Sequence, residues 1–470
     1  MLQKKSRLVA AILVVMVVVA LNSNFVRAAN MTQTLALEQA IRIAMENSLQ
    51  RRLAEGEVAI AGNKLAEAKS GYYPKLMLSG GYYHYNEVPP NVQLATKLAE
   101  MNNGMVDWAA YLKSTGNPTL AALGASLLSG MQTVDIPDQS LNYYGYSLVL
   151  QQPLYTGNRL TALNKQAKAN QGYAKANLDA AEHNLVYEVK KAYYTVISAQ
   201  QSAETMQQAV KSMEDHVKEA EAYRKVGIVP KLDVKRAEVK LADLRQKSLM
   251  AQNGLELAKM ALNFTMGVDL SSNYIFVADD QYEPFELELQ SCQEKALNNR
   301  PEIIAGKAKV EMAKENVEIA KSAARPLIAL QAKKEDFQPY SSEPSEQIGI
   351  VASMNLLDGG LVKHQVNEAR EVLKQAQTAQ ELISRAVLLD VQQAYQNLQL
   401  ALQTITVAEK SLDQAQETVH MADVSYKAGL GTSLERIDAE VGLTQAKTNY
   451  TQALSMYHIA LAQLQKAIGQ

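Results

Sequence analysis

Glu435 and Asp438 stand three residues apart, a spacing that puts two carboxylates on one face of a helix. Acids so placed can attract cations, but on an exposed helix they are most simply solvated. Other candidate chemistry is thin. The six histidines (His84, His183, His216, His364, His420, His458) show no HExxH motif and no paired metal-ligand spacing. Gly429-Leu430-Gly431 lacks the strand, helix and third glycine of a nucleotide loop, and no Walker motif is present. Cys292 is the only cysteine, so neither an intramolecular disulfide nor a thiolate cluster can form, and it reads as a packed small hydrophobe. The 17 methionines are scattered and read as core filler rather than copper ligands. The expectation is a chain that is not an enzyme and carries no cofactor and no metal.

The elements that position these residues begin after an export signal. Lys4, Lys5 and Arg7 open it, Leu8 to Leu21 is unbroken apolar sequence, and Val26-Arg27-Ala28 supplies a cleavage site. The apolar run is shorter than the roughly 20 residues of a spanning helix. Removing residues 1–28 takes four basic residues and moves the formal net charge from −2 to −6, which argues against nucleic acid as a partner. No later apolar stretch approaches spanning length, so any membrane passage must use strands.

The mature sequence is written twice. A shift of 202 places Leu154 on Leu356, Gly157 on Gly359, Ala192-Tyr193 on Ala394-Tyr395 and Gly227 on Gly429. A shift of 252 places Ala68-Lys69-Ser70 and Pro74 on Ala320-Lys321-Ser322 and Pro326. The first copy therefore carries about 50 extra residues, roughly 87–139, between its two aligned blocks. A repeat this long is a duplicated structural half rather than a solenoid unit.

Ala, Gln, Glu, Lys and Leu dominate, favouring helix. From Asn158 to Lys225 there is no proline and one glycine, and from Leu361 to Lys427 neither. Each run predicts a helix of roughly 100 Å at 1.5 Å per residue. Each ends at a glycine turn, after which a shorter helix returns at about 231–266 and 432–468. Short strands precede the long helices at Lys75–Asn86, Leu141–Gln152, Leu327–Lys334 and Gln347–Asn355, close to the length of tilted membrane strands. Tyr82, Tyr83, Tyr85, Tyr143, Tyr144 and Tyr146 cluster as an interfacial girdle would. Four strands cannot close a barrel alone, so several chains must pool them. Two chains give eight strands, and three give twelve with room for a pore.

The chain resembles the TolC-like outer membrane efflux proteins. The likeness rests on the duplication and on the strand–helix junctions Gln152-Pro153-Leu154-Tyr155-Thr156-Gly157 and Asn355-Leu356-Leu357-Asp358-Gly359-Gly360. It rests also on the turns from Tyr223 (YRKVGIVPKLDVKRAE) and Ser425 (SYKAGLGTSLERIDAE), and on LALEQAIRIAMENSLQ from Leu35 and ALNNRPEI from Ala296. It implies a mostly α fold with a small β part: duplicated long helical hairpins forming a periplasmic tunnel, and four strands per chain in a trimeric 12-stranded outer-membrane barrel. On this frame residues 1–28 are signal, and 29–267 the first repeat, with its strand-pair insertion at about 87–139 and hairpin at 158–266. Residues 268–300 are equatorial linker helices, and 301–470 the second repeat with its hairpin at 361–468. The implied function is a passive exit duct of a tripartite efflux or type I secretion system. The implied partners are a homotrimer, a periplasmic adaptor (membrane fusion) protein, an inner-membrane pump or ABC secretion transporter, and outer-membrane lipids. The competing reading is a soluble periplasmic helical scaffold without channel activity.

The resemblance also assigns a gate. Glu435 and Asp438 match positions where the family places acids facing the tunnel axis, and Tyr426 and Asp233 match contacts holding the closed state. Where the family's model member has an arginine two residues after the second turn glycine, this chain has Gly431, leaving Arg436 or Lys427 as substitutes or a gate held by packing. The tips Val226, Gly227, Ile228, Val229, Gly429, Leu430 and Gly431 are the expected adaptor contact. The insertion, with the only tryptophan, Trp108, is read as an elaborated loop in preference to a lid or a phage receptor.

Overall fold

Helix lengths in the two copies match to within one residue, while the strands differ in length. The computed structural model describes residues 33–84, 86, 90–133, 142–277, 282, 285–338 and 343–470; the expected signal and Tyr85 lie outside them. Strand β1 (Gln33–Leu35) leads into α1 (Leu37–Asn47) and α2 (Leu49–Ser70), then β2 (Lys75–His84). Helices α3 (Pro90–Ser114) and α4 (Pro118–Leu128) fill the insertion before β3 (Asn142–Tyr155), α5 (Arg159–Lys225), α6 (Lys231–Met266) and β4 (Tyr274–Phe276). The second copy runs α7 (Leu289–Asn299), α8 (Pro301–Ser322), β5 (Leu327–Gln338), β6 (Ser345–Ser353), α9 (Leu361–Lys427) and α10 (Ser433–Ala467). Helices α1 and α7 have 11 residues each and α2 and α8 have 22, offset by 252. Helices α5 and α9 have 67 each, offset by 202. Among the described residues no helix is long and apolar enough to cross a membrane.

By contacts the chain divides into two units, and each copy contributes to both. One comprises residues up to Ala61, Asn170–Val310 and Gln375–Gln470; its core repeats the duplication. Val189, Tyr193 and Val196 of α5 pack on Leu262 and Met266 of α6 and on Ala40 and Ala44 of α1. Val391, Ala394 and Leu398 of α9 pack likewise on Leu464 and Tyr457 of α10 and on Cys292 and Ala296 of α7. The Tyr193 hydroxyl donates toward the Leu35 and Val277 carbonyls, 3.0 Å from each, beside the parallel pair β1–β4. Arg300, at the α7–α8 junction, is buried against Glu302 and Asp390 and also donates to the Ala467 carbonyl.

The other unit, Gly62–Ala169 with Glu311–Lys374, holds a four-stranded antiparallel sheet in the order β2-β3-β5-β6. Successive side chains along a strand point to opposite faces, so the register sorts the residues. One face carries Leu76, Leu78 and Tyr82 of β2 opposite Leu150, Leu148 and Tyr144 of β3. The same face continues through Leu330 and Ala332 of β5 opposite Ile350 and Ile348 of β6. Its charges, Asp336 and the Lys334–Glu346 pair at 2.6 Å, lie at one end. The opposite face is mixed: it carries Lys75, Ser79, Gln151, Gln331, Lys333, Glu335 and Gln347, together with Met77, Val149, Leu327, Phe337 and Val351. Strand β5 runs to Gln338, beyond the expected end at Lys334, because β3 pairs with it as far as Gln338. Among the described residues β2 and β6 each have one unpaired edge.

Candidate gate at the helical tips

Each long helix ends in the same turn. After α5 the Gly227 and Ile228 amides donate to the Arg224 and Tyr223 carbonyls at 3.0 and 2.9 Å. After α9 the Gly429 and Leu430 amides donate to Tyr426 and Ser425 at 3.0 and 2.9 Å. This closure needs a left-handed residue, and Gly227 and Gly429 supply φ of +80° and +72°. Gly431 donates to the Ser425 carbonyl as well, and a Cβ there would sit 3.1 Å from the Ser425 Cβ. The tip is packed too closely at that position for a side chain to enter without displacing its neighbour. Val226, Ile228 and Leu430 project from the turns, Leu430 at 87% exposure, while Val229 is half-buried.

Behind the turns a charged cluster joins the two hairpins. Arg436, whose side chain is only 11% exposed, lies on the second turn of α10. Its Nη1 reaches Glu219 of α5 at 2.5 Å, its Nη2 reaches Asp423 of α9 at 2.9 Å, and its Nε lies 3.9 Å from Glu440. The guanidinium also sits over the Tyr426 ring at 5.3 Å, a cation–π arrangement. Lys427, the other candidate for the missing arginine, pairs with Asp423 on its own helix at 2.7 Å. Only Arg436 crosses to the other hairpin.

Tyr426 is 5% exposed, with its ring against His216 (5.3 Å between centroids, edge-on) and Tyr223 (5.8 Å). Among the described residues its hydroxyl has no hydrogen-bond partner, and burial pushes its pKa up. Asp233 makes no hydrogen bond to it; its nearest cation is Arg236 at 3.9 Å. His216 is buried, with Nε2 2.9 Å from the Ser433 hydroxyl. Burial, and then the nearby Arg436 charge, push its pKa down to about 4, so the ring is neutral near pH 7. Burial also pushes the Glu440 carboxyl up.

Glu435 and Asp438 are exposed. Glu435 closes a capping box: it accepts from the Thr432 amide at 2.8 Å, while its own amide donates to the Thr432 hydroxyl at 3.2 Å. Those bonds hold its carboxyl below the usual range, so within one protomer it stays ionised.

Sequence reasoning missed His216, Ser433, Glu219 and Asp423. The signal lay where the duplicated halves disagree. At a shift of 202, Arg436 faces Val234, Tyr426 faces Arg224, and His216 faces Thr418. Buried Val234 needs no counter-charge, so the cluster exists once per chain rather than twice.

Comparison with known proteins assigns the fold and these tips a lineage. The model of the outer membrane efflux protein family matches residues 109–268 and 293–470, most of the chain. The chain belongs to that family. Membership makes it an outer-membrane protein. It is 22% identical over 261 residues to outer membrane protein TolC of Salmonella enteritidis, covering 52% of each chain. To the TolC of Vibrio cholerae it is 22% identical over 262 residues, covering 52% of this chain and 58% of that one. The chain spans about half the length of the curated relatives it matches. Among solved structures it superimposes on VceC of Vibrio cholerae with a TM-score of 0.71 at 18% identity, covering 92% of this chain and 96% of that one. For the CmeC outer membrane channel of Campylobacter jejuni the values are 0.73 and 15%, over 92% and 85%. For the open state of the Neisseria gonorrhoeae MtrE outer membrane channel they are 0.66 and 19%, over 92% and 88%. These likenesses show the family fold over 92% of the chain.

Proposed function

We propose that the chain is the outer-membrane exit duct of a tripartite efflux or secretion system, working as a homotrimer and as a passive conduit rather than an enzyme. The observation that carries this is the β2-β3-β5-β6 sheet, with one largely apolar face, one face richer in polar residues and two open edges. A largely apolar face flanked by tyrosines suits lipid, and the face that gathers Lys75, Gln151, Gln331, Lys333 and Glu335 suits a water-filled lumen. Open edges are not tolerated in hydrocarbon, so β6 of one copy must pair with β2 of the next until the sheet closes. Three copies supply twelve strands, enough for a lumen.

The tips then serve as the gate and docking end. Glu435 and Asp438 from three chains form an acidic ring that favours cations at the closed end. Tyr426 and the Arg436 cluster hold the second hairpin to the first, with Asp233 of the first hairpin close by but paired within its own helix. Val226, Gly227, Ile228, Val229, Gly429, Leu430 and Gly431 offer a short apolar surface to a periplasmic adaptor, through which an inner-membrane pump or ABC transporter supplies energy. Opening is a two-state shift of α9–α10 against α5–α6, biased by that contact.

The test is detergent extraction of outer membranes, light scattering of the particle, and conductance in planar bilayers. A detergent-dependent trimer with gated conductance is expected. A water-soluble monomer or dimer would overturn the duct and everything built on it.

A further inference from the structure

The α3–α4 hairpin has no counterpart in the second copy, where only six residues join β5 to β6. It is a built unit rather than a slack loop. Ala99, Val106, Ala109 and Leu112 line the buried side of α3. A Cβ on Gly124 of α4 would come within 2.5 Å of the Ala109 carbonyl oxygen and 2.4 Å of the Lys113 nitrogen, so the helix backbones are in contact there. Asn117 caps α4, accepting from the Thr119 amide at 3.0 Å.

Helix α3 also has a second apolar stripe. Leu98, Met101, Met105 and Trp108 are exposed, spaced three, four and three residues apart, and Trp108 keeps 56% of its surface open. That spacing is the heptad of a coiled-coil seam, one residue out of phase with the buried stripe. Two adjoining stripes mean that α3 is shaped for two neighbours, and among the described residues it packs on one, α4. A contiguous apolar stripe of this size on a soluble surface marks an interaction site.

The flanking charges bear on the identity of that neighbour. The described part of α3 carries Lys97, Glu100, Asp107 and Lys113, two of each sign. An anionic lipid surface would call for a basic polar face, which is absent. The strand that leads into the hairpin is the stronger argument. Strand β2 has an open edge, which on the trimeric reading above is the seam to the neighbouring copy. Helix α3 starts six residues after β2 ends, so its first turn lies within roughly 20 Å of that seam at the reach of an extended chain. The stripe is therefore tethered where a second and third identical stripe must be.

We propose that the exposed stripe of α3 packs against the same stripe of the neighbouring copies, so that the inserted hairpins form a shared helical cluster tying the three chains together beyond the barrel. This inference rests on the trimeric reading, and its test separates the two. Met105→Cys places a thiol on the stripe; Ala110→Cys places one five residues on, on a different face of α3. Both are made in the full chain and oxidised in intact outer membranes. The unmodified chain, whose Cys292 is buried, serves as control. In the same preparations light scattering gives the particle size, and acrylamide quenching reads Trp108, the only tryptophan.

The expected result is a trimer in which Met105→Cys links up to two thirds of the chains as disulfide dimers and Ala110→Cys links almost none. In the unmodified trimer Trp108 should be quenched several-fold less than free tryptophan. A trimer with no Met105→Cys dimers, or with equal linking at both sites, or with Trp108 quenched like free tryptophan, would overturn the cluster and leave the duct standing. A particle that is not a trimer would overturn both.

Discussion

Arg436 offers the sharpest test of how the second hairpin is held. Changing it to Gln keeps much of the side-chain volume and removes the charge, leaving Glu219 and Asp423 facing one another with no cation between the hairpins. The arginine side chain is 11% exposed, and those of Glu219 and Asp423 are 25% and 28%. Removing one partner of a largely buried ion pair costs about 3–5 kcal/mol, and solvent at these two acids argues for the lower end, about 3 kcal/mol. That is roughly a hundredfold shift in any equilibrium that separates α10 from α5. Purified Arg436→Gln in planar bilayers should spend far more time conducting than the unmodified channel. A cycle with Glu219→Gln separates lock from general weakening, because residues in direct contact couple by about 0.5–3 kcal/mol. Unchanged conductance together with a coupling energy near zero would show that the Glu219 contact does not hold the hairpins.

Three further outcomes are expected. His216 binds its proton near pH 4 when folded and near 6.5 when unfolded, so its contribution is complete above pH 6.5 and is lost as pH falls toward 4. Up to about 3 kcal/mol is involved, and Glu219, Asp423 and Asp233 oppose the loss while Arg436 adds to it. His216→Gln should flatten the fall of melting temperature over that window; an identical slope would remove His216 from the pH response. Gly429→Ala, forcing an alanine into the left-handed region, should destabilise by about 1–2 kcal/mol. Gly442→Ala, where nothing lies within 4 Å of an added Cβ inside α10, should stabilise by up to about 1 kcal/mol. Equal effects in denaturant melts would contradict the turn argument. Glu435→Gln with Asp438→Asn should relieve block by multivalent cations, and the glutamine can still accept from the Thr432 amide. Unchanged block would exclude these two side chains from the pore.

Much of the fold was legible because duplication preserves helix lengths to within one residue, and because glycine and proline punctuate the long helices. The end of β5 was not: Lys333-Lys334-Glu335-Asp336 has no strand preference, and the β3 ladder imposes one. Strand β3 likewise continues past Pro153, with its register slipping between Pro153 and Tyr155. The cluster behind the tips was only half visible. Tyr426 and Arg436 could be named from the turn sequence, but His216 reaches Ser433, and Glu219 reaches Arg436, across 217 residues of chain. No local pattern announces a pairing that two helical hairpins create only once they lie side by side.

The unequal turns of the sheet also bear on the order in which it assembles. Six residues separate β5 from β6, whereas 57 separate β2 from β3. Treated as flexible loops, the longer one costs about 2 kcal/mol more entropy to close, or roughly thirtyfold in the chance that its strands meet. Folding of α3 against α4 shortens the effective loop and recovers part of that difference. The β5–β6 ribbon is thus the kinetic seed of the sheet, and the inserted hairpin acts as a splint that brings β2 to β3. Loosening α4 at Gly124 would then slow insertion into the outer membrane before it altered the finished barrel.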